Sequence, residues 1–242
     1  EYSVSSQWPY DFAPHDLGTY PKANGQVYAK GPGGEKNQMP VEESGNMLIM
    51  FAVMAYRDGN AKYAEKYWGT LSKWAAYLKA KGLDPENQLC TDDFAGHLAH
   101  NTNLSLKAIT GLACYAKLAG TLGKKDVAAE YRAIAEEMAA QWPKMATDGD
   151  HYRLAFDQPD TWSMKYNLVW DKILGLNLFD PSIAKTEIAD YKTKNNTYGL
   201  PLDSRKDYTK GDWLVWSATL ADNEDDFRTL IAPLRRFLHE SP

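Results

Sequence analysis

Cysteine is scarce in this chain: Cys90 and Cys114 are the only two in 242 residues. Two thiols so placed form no Cys-x-x-Cys metal or redox pair. Nor do they supply the set of bridges that staples a small secreted fold. Long apolar runs are also missing. The longest, Met47 to Tyr56, is about half of what a bilayer-spanning helix needs, and no basic-then-apolar leader opens the sequence. The expectation is a soluble protein, or a processed or excised piece of one. Positive charge is in deficit, with 27 Lys and Arg against 32 Asp and Glu and a net charge of −5. That removes the attraction on which non-specific nucleic-acid binding rests, so neither a nucleic acid nor an anionic membrane is expected as partner. A G-x-S-x-G elbow, a P-loop and a dinucleotide fingerprint are all absent, which counts against α/β serine hydrolases and nucleotide enzymes.

What the chain has instead is apolar content of 44% and an aromatic share of 12%, with 8 Trp and 15 Tyr. That is enough to build a core. Residues 1–40, rich in Pro, Gly and aromatics, show no sustained period and read as an irregular N-terminal arm or linker. From 41 to 242 the texture becomes helical. Apolar residues recur every three to four positions in about eight segments that come in pairs. The first of each pair is the more apolar: 42–56 before 61–81, 102–120 before 125–142, 165–178 before 181–193, and 211–221 before 224–239. The more apolar helices are expected to form an inner layer and the amphipathic ones an outer layer, as in helical solenoids and α/α toroids. The short alternating stretch 151–156 reads as a strand or hairpin arm.

The loops entering the inner helices are the most polar in the chain, and in this arrangement they share one rim. Four carboxylates there are candidate catalytic groups: Glu42 and Glu43, and Asp92 and Asp93. A general acid and a general base must flank a bound substrate. Each also has an ordinary explanation, since acidic residues favour the first turn of a helix and aspartates favour turns and caps. His97 and His100, three apart, would on a helix turn both rings toward one metal, with an aspartate adding oxygen. A further nitrogen or sulfur ligand is lacking, so substrate hydrogen bonding or plain structural use is the preferred reading, and no metal or cofactor is expected. Arg205 is the cation best suited to grip a substrate carboxylate.

At these same places the sequence resembles a known family. The runs are 8–21, opening Trp8-Pro9-Tyr10-Asp11-Phe12; 38–47, with Pro40-Val41-Glu42-Glu43-Ser44-Gly45-Asn46; 90–101, with Asp92-Asp93-Phe94-Ala95-Gly96-His97; 165–172, opening Lys165-Tyr166-Asn167; and 198–205, ending Asp203-Ser204-Arg205. Together, in this order, they resemble the glutaminase A family of fungi and of bacteria such as gut Bacteroidetes. The resemblance implies an all-α, six-hairpin α/α toroid similar to glycoside hydrolase catalytic domains. With about four hairpins visible, it implies a partial toroid from a longer parent, the remainder of that parent being an expected partner. It also implies secretion or a periplasmic location, and the L-glutamine amidohydrolase activity attached to fungal members.

The expected activity is therefore hydrolysis of L-glutamine or a related small amide by carboxylate acid/base chemistry. The residues placed on these motifs to bind substrate are His15, Asp16, His97, His100, Asn101, Trp162, Lys165, Tyr166, Asp203, Arg205 and Asp212. Glycoside hydrolysis in an aromatic-lined cleft, which needs the same paired carboxylates, stays open. So does a non-catalytic binding or scaffold role.

Overall fold

The computed structural model describes residues 8–16, 18, 21, 37–90 and 95–241. They are mostly helical: α1 (Pro40–Asp58), α2 (Lys62–Lys66), α3 (Trp68–Lys81), α4 (Thr102–Thr121), α5 (Lys125–Ala146), α6 (Val169–Leu174), α7 (Pro181–Lys194), α8 (Gly211–Ala218) and α9 (Glu224–Glu240). Two short strands, β1 (Thr147–Asp148) and β2 (His151–Tyr152), pair antiparallel. The chain divides into two compact units: residues 1–100 with 107–138, and residues 101–106 with 139–242.

Local chemistry sets most helix boundaries. Pro40 opens α1, Glu42 and Glu43 fill its first turn, and Gly59 ends it with φ 67°. Asp180 caps α7 by accepting the Ser182 N–H, and Asn223 caps α9 by accepting the Asp226 N–H. Three boundaries differ from the sequence reading. The expected helix 61–81 breaks at Tyr67, whose φ of −111° and ψ of 16° leave the helical range as its N–H turns back to the Ala64 carbonyl. The expected helix 165–178 is a 3₁₀ turn (Tyr166–Leu168) followed by the short α6, stopped by Gly175 at φ 57°. Conversely, α5 runs through Pro143 to Ala146, since a proline in the last turn removes only one backbone donor.

In the first unit α1 packs against α3 and the first part of α4. Leu48, Ile49, Leu71, Ala75, Leu78, Ile109 and Leu112 are buried there. Glycines bring these backbones close: a Cβ on Gly111 would stand 3.2 Å from the Gly45 Cα and 3.1 Å from Leu78 Cδ1. The N-terminal segment 8–16 lies on this unit. Trp8, Phe12 and Ala13 are buried, and the Phe12 ring sits 5.4 Å from that of Tyr77 on α3. Burial within the first pair follows the expected contrast, because α3 presents Lys73, Lys79 and Lys81 to solvent while the N-terminal half of α1 is enclosed. The C-terminal half of α1 departs from it, leaving Met50 and Tyr56 exposed.

The second unit is built on Trp142, fully buried, whose indole N–H donates to the Thr102 carbonyl at 2.9 Å. Asn167 clasps Asn103 twice, its backbone N–H donating to Oδ1 at 3.2 Å and its side-chain amide to the carbonyl at 2.9 Å. Tyr166 stacks on Trp213 of α8 with centroids 4.6 Å apart. The amphipathic α9 buries Leu230 and turns its polar face outward.

Candidate functional site

In the first unit the N-terminal turn of α1 gathers a polar cluster. The segment before α1 is strapped across that turn: the Ala13 N–H donates to Ser44 Oγ at 3.1 Å, and the His15 N–H donates to Gln38 Oε1 at 3.0 Å. The strap places the His15 ring against α1, with Nδ1 3.4 Å from Glu43 Oε1. Both side chains remain partly open to solvent, at 19% and 23%. Glu42, one residue earlier, has a different fate. It is buried and accepts the Lys107 ammonium at 2.9 Å, with side-chain exposures of 3% for Glu42 and 5% for Lys107. A carboxylate so paired and enclosed is held in place by its counter-ion and is shut off from a bound substrate. Asn46 completes the cluster, donating to Glu42 Oε1 at 3.2 Å and accepting from Lys107 at 2.6 Å.

Asp92 and Asp93 fall outside the described residues. Residues 96–101 are not helical, so the spacing of three does not bring the His97 and His100 rings onto one face. His100 instead adopts φ 60° and sets its Nδ1 2.7 Å from Asp84, while His97 is exposed. Asp16 accepts the Gly18 N–H at 3.0 Å. Among the described residues no three His, Cys, Asp or Glu side chains converge on a metal position. Cys90 and Cys114 are both buried thiols.

The second unit assembles another group. Residues 162–164 and 202–204 pair: the Met164 N–H donates to Leu202, the Ser204 N–H to Trp162, and the Trp162 N–H to Ser204 Oγ. This ladder sets Asp203 beside Arg205. The carboxylate, fully buried, grips the guanidinium through Nε at 3.0 Å and Nη2 at 2.6 Å, which fixes its plane. Trp162, Asp203 and Arg205 thus stand together. Asp212 is exposed on the first turn of α8, and Asn101 is a buried cap whose Oδ1 accepts the Leu104 N–H at 3.0 Å. Tyr166 is buried beneath Trp213.

Lys165 differs most from its expected place on the rim, since its side chain is 0% exposed. The ammonium donates to the carbonyls of Tyr152 and Ser163 at 3.1 and 2.8 Å and stands 3.6 Å from Glu187 of α7. Tyr191 donates to the same carboxylate and accepts the Lys165 backbone N–H at 2.7 Å. Burial pushes the Glu187 carboxyl up and the Lys165 ammonium down, and the charge of each holds the other back. Burial also drives the Tyr191 phenol well above its ordinary value. Packing explains the misplacement: the β1–β2 hairpin and α7 close over Lys165, and Glu187 is there to meet its charge. Sequence reasoning missed Glu187 and Lys107 alike. The one available signal was a lysine set inside an otherwise apolar inner-helix run.

A cavity of about 470 Å³ in the second unit lies at the other end of the inner helices, past the C-termini of α6 and α8. Leu168, Asp171, Phe179, Ile183 and Leu220 line it, together with Asp180 and Asp222, and none of the expected site residues does.

The entire chain, residues 1–242, matches the glutaminase A six helical-hairpin domain. The chain belongs to this family. Two curated relatives are similar along most of it. Glutaminase A of Aspergillus oryzae is 36% identical over 249 residues, covering 100% of this chain and 35% of the relative. A probable glutaminase of Arthroderma benhamiae is 28% identical over 307 residues, covering 91% of this chain and 35% of its own length. The chain therefore spans about a third of the length of the curated relatives it matches. Within this glutaminase A domain, the partly open Glu43–His15 pair is an arrangement suited to proton transfer. Glu42 and Lys165, both locked in buried ion pairs, are suited to holding structure.

Proposed function

We propose that this chain is the helical part of a longer amidohydrolase that converts L-glutamine, or a related small amide, to the acid and ammonia. The observation that carries the reading is the Glu43–His15 pair at the partly open edge of the α1 N-terminus, in a domain whose relatives are named glutaminases. Glu43 takes a proton from water as the water oxygen bonds to the amide carbon. Protonated His15 then gives a proton to the nitrogen as the C–N bond breaks and ammonia leaves. The new carboxylic acid returns its proton to His15, and Glu43 passes its proton to ammonia or water, so carboxylate and ammonium are released and both groups are restored. Secretion or a periplasmic location, and docking against the remainder of the parent, belong to the same proposal.

The paired-carboxylate glycosidase reading draws less support. Of the two glutamates at this turn, Glu42 is tied to Lys107 and is not placed to serve as the second working carboxyl. The test is ammonia release from L-glutamine by the full-length parent, run beside reducing-sugar release from a glycan panel. E43Q and H15N are each expected to lower kcat for ammonia release by about 100-fold or more. Sugar release abolished by E43Q would transfer the site to glycoside chemistry. Absence of both activities in a folded parent would assign a binding or scaffold role.

A further inference from the structure

Two adjacent glutamates on one helix point about 100° apart, so a single neighbour rarely serves both. Asn46 does, standing four residues after Glu42 and three after Glu43 on the same helical face. Its amide approaches Glu42 Oε1 at 3.2 Å and Glu43 Oε2 at 3.5 Å. The orientation of that amide follows from chemistry. The Lys107 ammonium lies 2.6 Å from Asn46 Oδ1 and can only donate, so the oxygen faces the lysine and the NH₂ faces the carboxylates. Lys107 reaches this position from α4 by crossing Gly45, where a Cβ would stand 2.6 Å from its Cγ. The lysine is also enclosed, with 5% of its side chain exposed.

We infer that Lys107 and Asn46 are positioning residues that hold the Glu42 carboxylate in place and keep the Glu43 carboxylate aimed at His15. The inference rests on the amide-hydrolysis reading for its activity measurement alone. The charged and polar groups facing Glu43 are His15 from the N-terminal strap, Glu42 and Asn46 on its own helix, and Lys107 from α4 through Asn46. The Asn46 amide fixes the direction of the Glu43 carboxylate, so its loss lets that group turn away from His15.

The variant N46L keeps the shape and removes the donor. It is expected to lower kcat for ammonia release by about tenfold with little change in KM. Nuclear Overhauser contacts between the His15 ring and the Glu43 side chain in the purified chain should weaken in parallel. N46Q, which retains an amide on that face, should return both toward the parent values. K107M alone strands a buried Glu42 and is expected to unfold, so the double variant E42Q/K107M is used instead. It removes both charges and with them the lysine that orients the Asn46 amide, and should weaken the His15–Glu43 contact as N46L does. A weakened contact in N46L without ammonia release by any form would keep the positioning role and overturn the amide-hydrolysis reading. Ammonia release and a His15–Glu43 contact both unmoved by N46L would overturn the positioning role.

Discussion

Gly45 and Gly69 are both helical glycines, yet alanine should have opposite effects at the two. At Gly45 the new methyl would lie 2.6 Å from Lys107 Cγ and 3.3 Å from the Lys107 carbonyl, on a helix pair that has no slack. G45A is expected to lower unfolding free energy by about 1–3 kcal/mol. Nothing lies within 4 Å of a Cβ at Gly69 on α3, so G69A should raise stability by about 0.5–1 kcal/mol. Urea denaturation of the two variants compares them directly, and a neutral G45A would mean that α1 and α4 separate without cost. Lys165 and Glu187 pose the same kind of question for charge. K165M leaves a buried carboxylate without its counter-ion and should cost about 3–5 kcal/mol, while K165M/E187L should recover most of that loss. Equal losses in the single and double variants would show that shape rather than charge compensation holds the site.

At the scale of elements, α9 depends on its first turn. Asn223 accepts the Asp226 N–H at 2.9 Å, and its amide donates back to the Asp226 carboxylate at 2.9 Å. Lys192 of α7 reaches the same carboxylate at 2.6 Å, tying α9 to its neighbour. Replacing Asn223 by alanine should cost about 1 kcal/mol. The bonds from Lys192 and Asn223 hold the Asp226 carboxyl below its ordinary value, so the folded state binds a proton there less readily than the unfolded chain does. Its stabilisation is therefore present above the unfolded value and lost as pH falls through the folded one. D226N should consequently melt below the parent at neutral pH and converge with it as the pH falls below the ordinary carboxylate range. A melting difference that persists in acid would assign the effect to shape instead of charge.

For the whole molecule, exposed apolar side chains remain on both units. Met50, Tyr56 and Tyr63 are exposed on the first, and Ile173, Val215, Phe237 and Leu238 on the second. Met50 and Tyr56 on α1, Ile173 on α6 and Val215 on α8 lie on helices of the inner layer, and exposed apolar groups there invite cover. The isolated 242-residue chain is expected to self-associate in light scattering and to release ammonia from glutamine weakly beside the full-length parent. M50E and I173E should each reduce association without lowering helix content by circular dichroism. Parent-like turnover by a strictly monomeric chain would show that cover for these side chains is needed neither for the site nor for the core.

Helix positions were legible in the sequence because periodicity, caps and breakers act over a few residues: Pro40, Asp180 and Asn223 mark starts, and Gly59 marks an end. Charge balance and the long motifs of the family were legible for the same reason. The roles of individual charged side chains were not. Glu42 and Glu43 look alike in sequence, and what separates them is a lysine 65 positions away that reaches only one of them. Lys165 reads as a loop cation until Glu187, on α7, buries it. The His97 and His100 spacing suggests a shared face until the backbone turns at Gly96, with φ 85°, and hands the second ring to Asp84. Local pattern determines where a helix runs. The partner of a buried charge is chosen by which distant segments pack against it, and only the tertiary structure contains that choice.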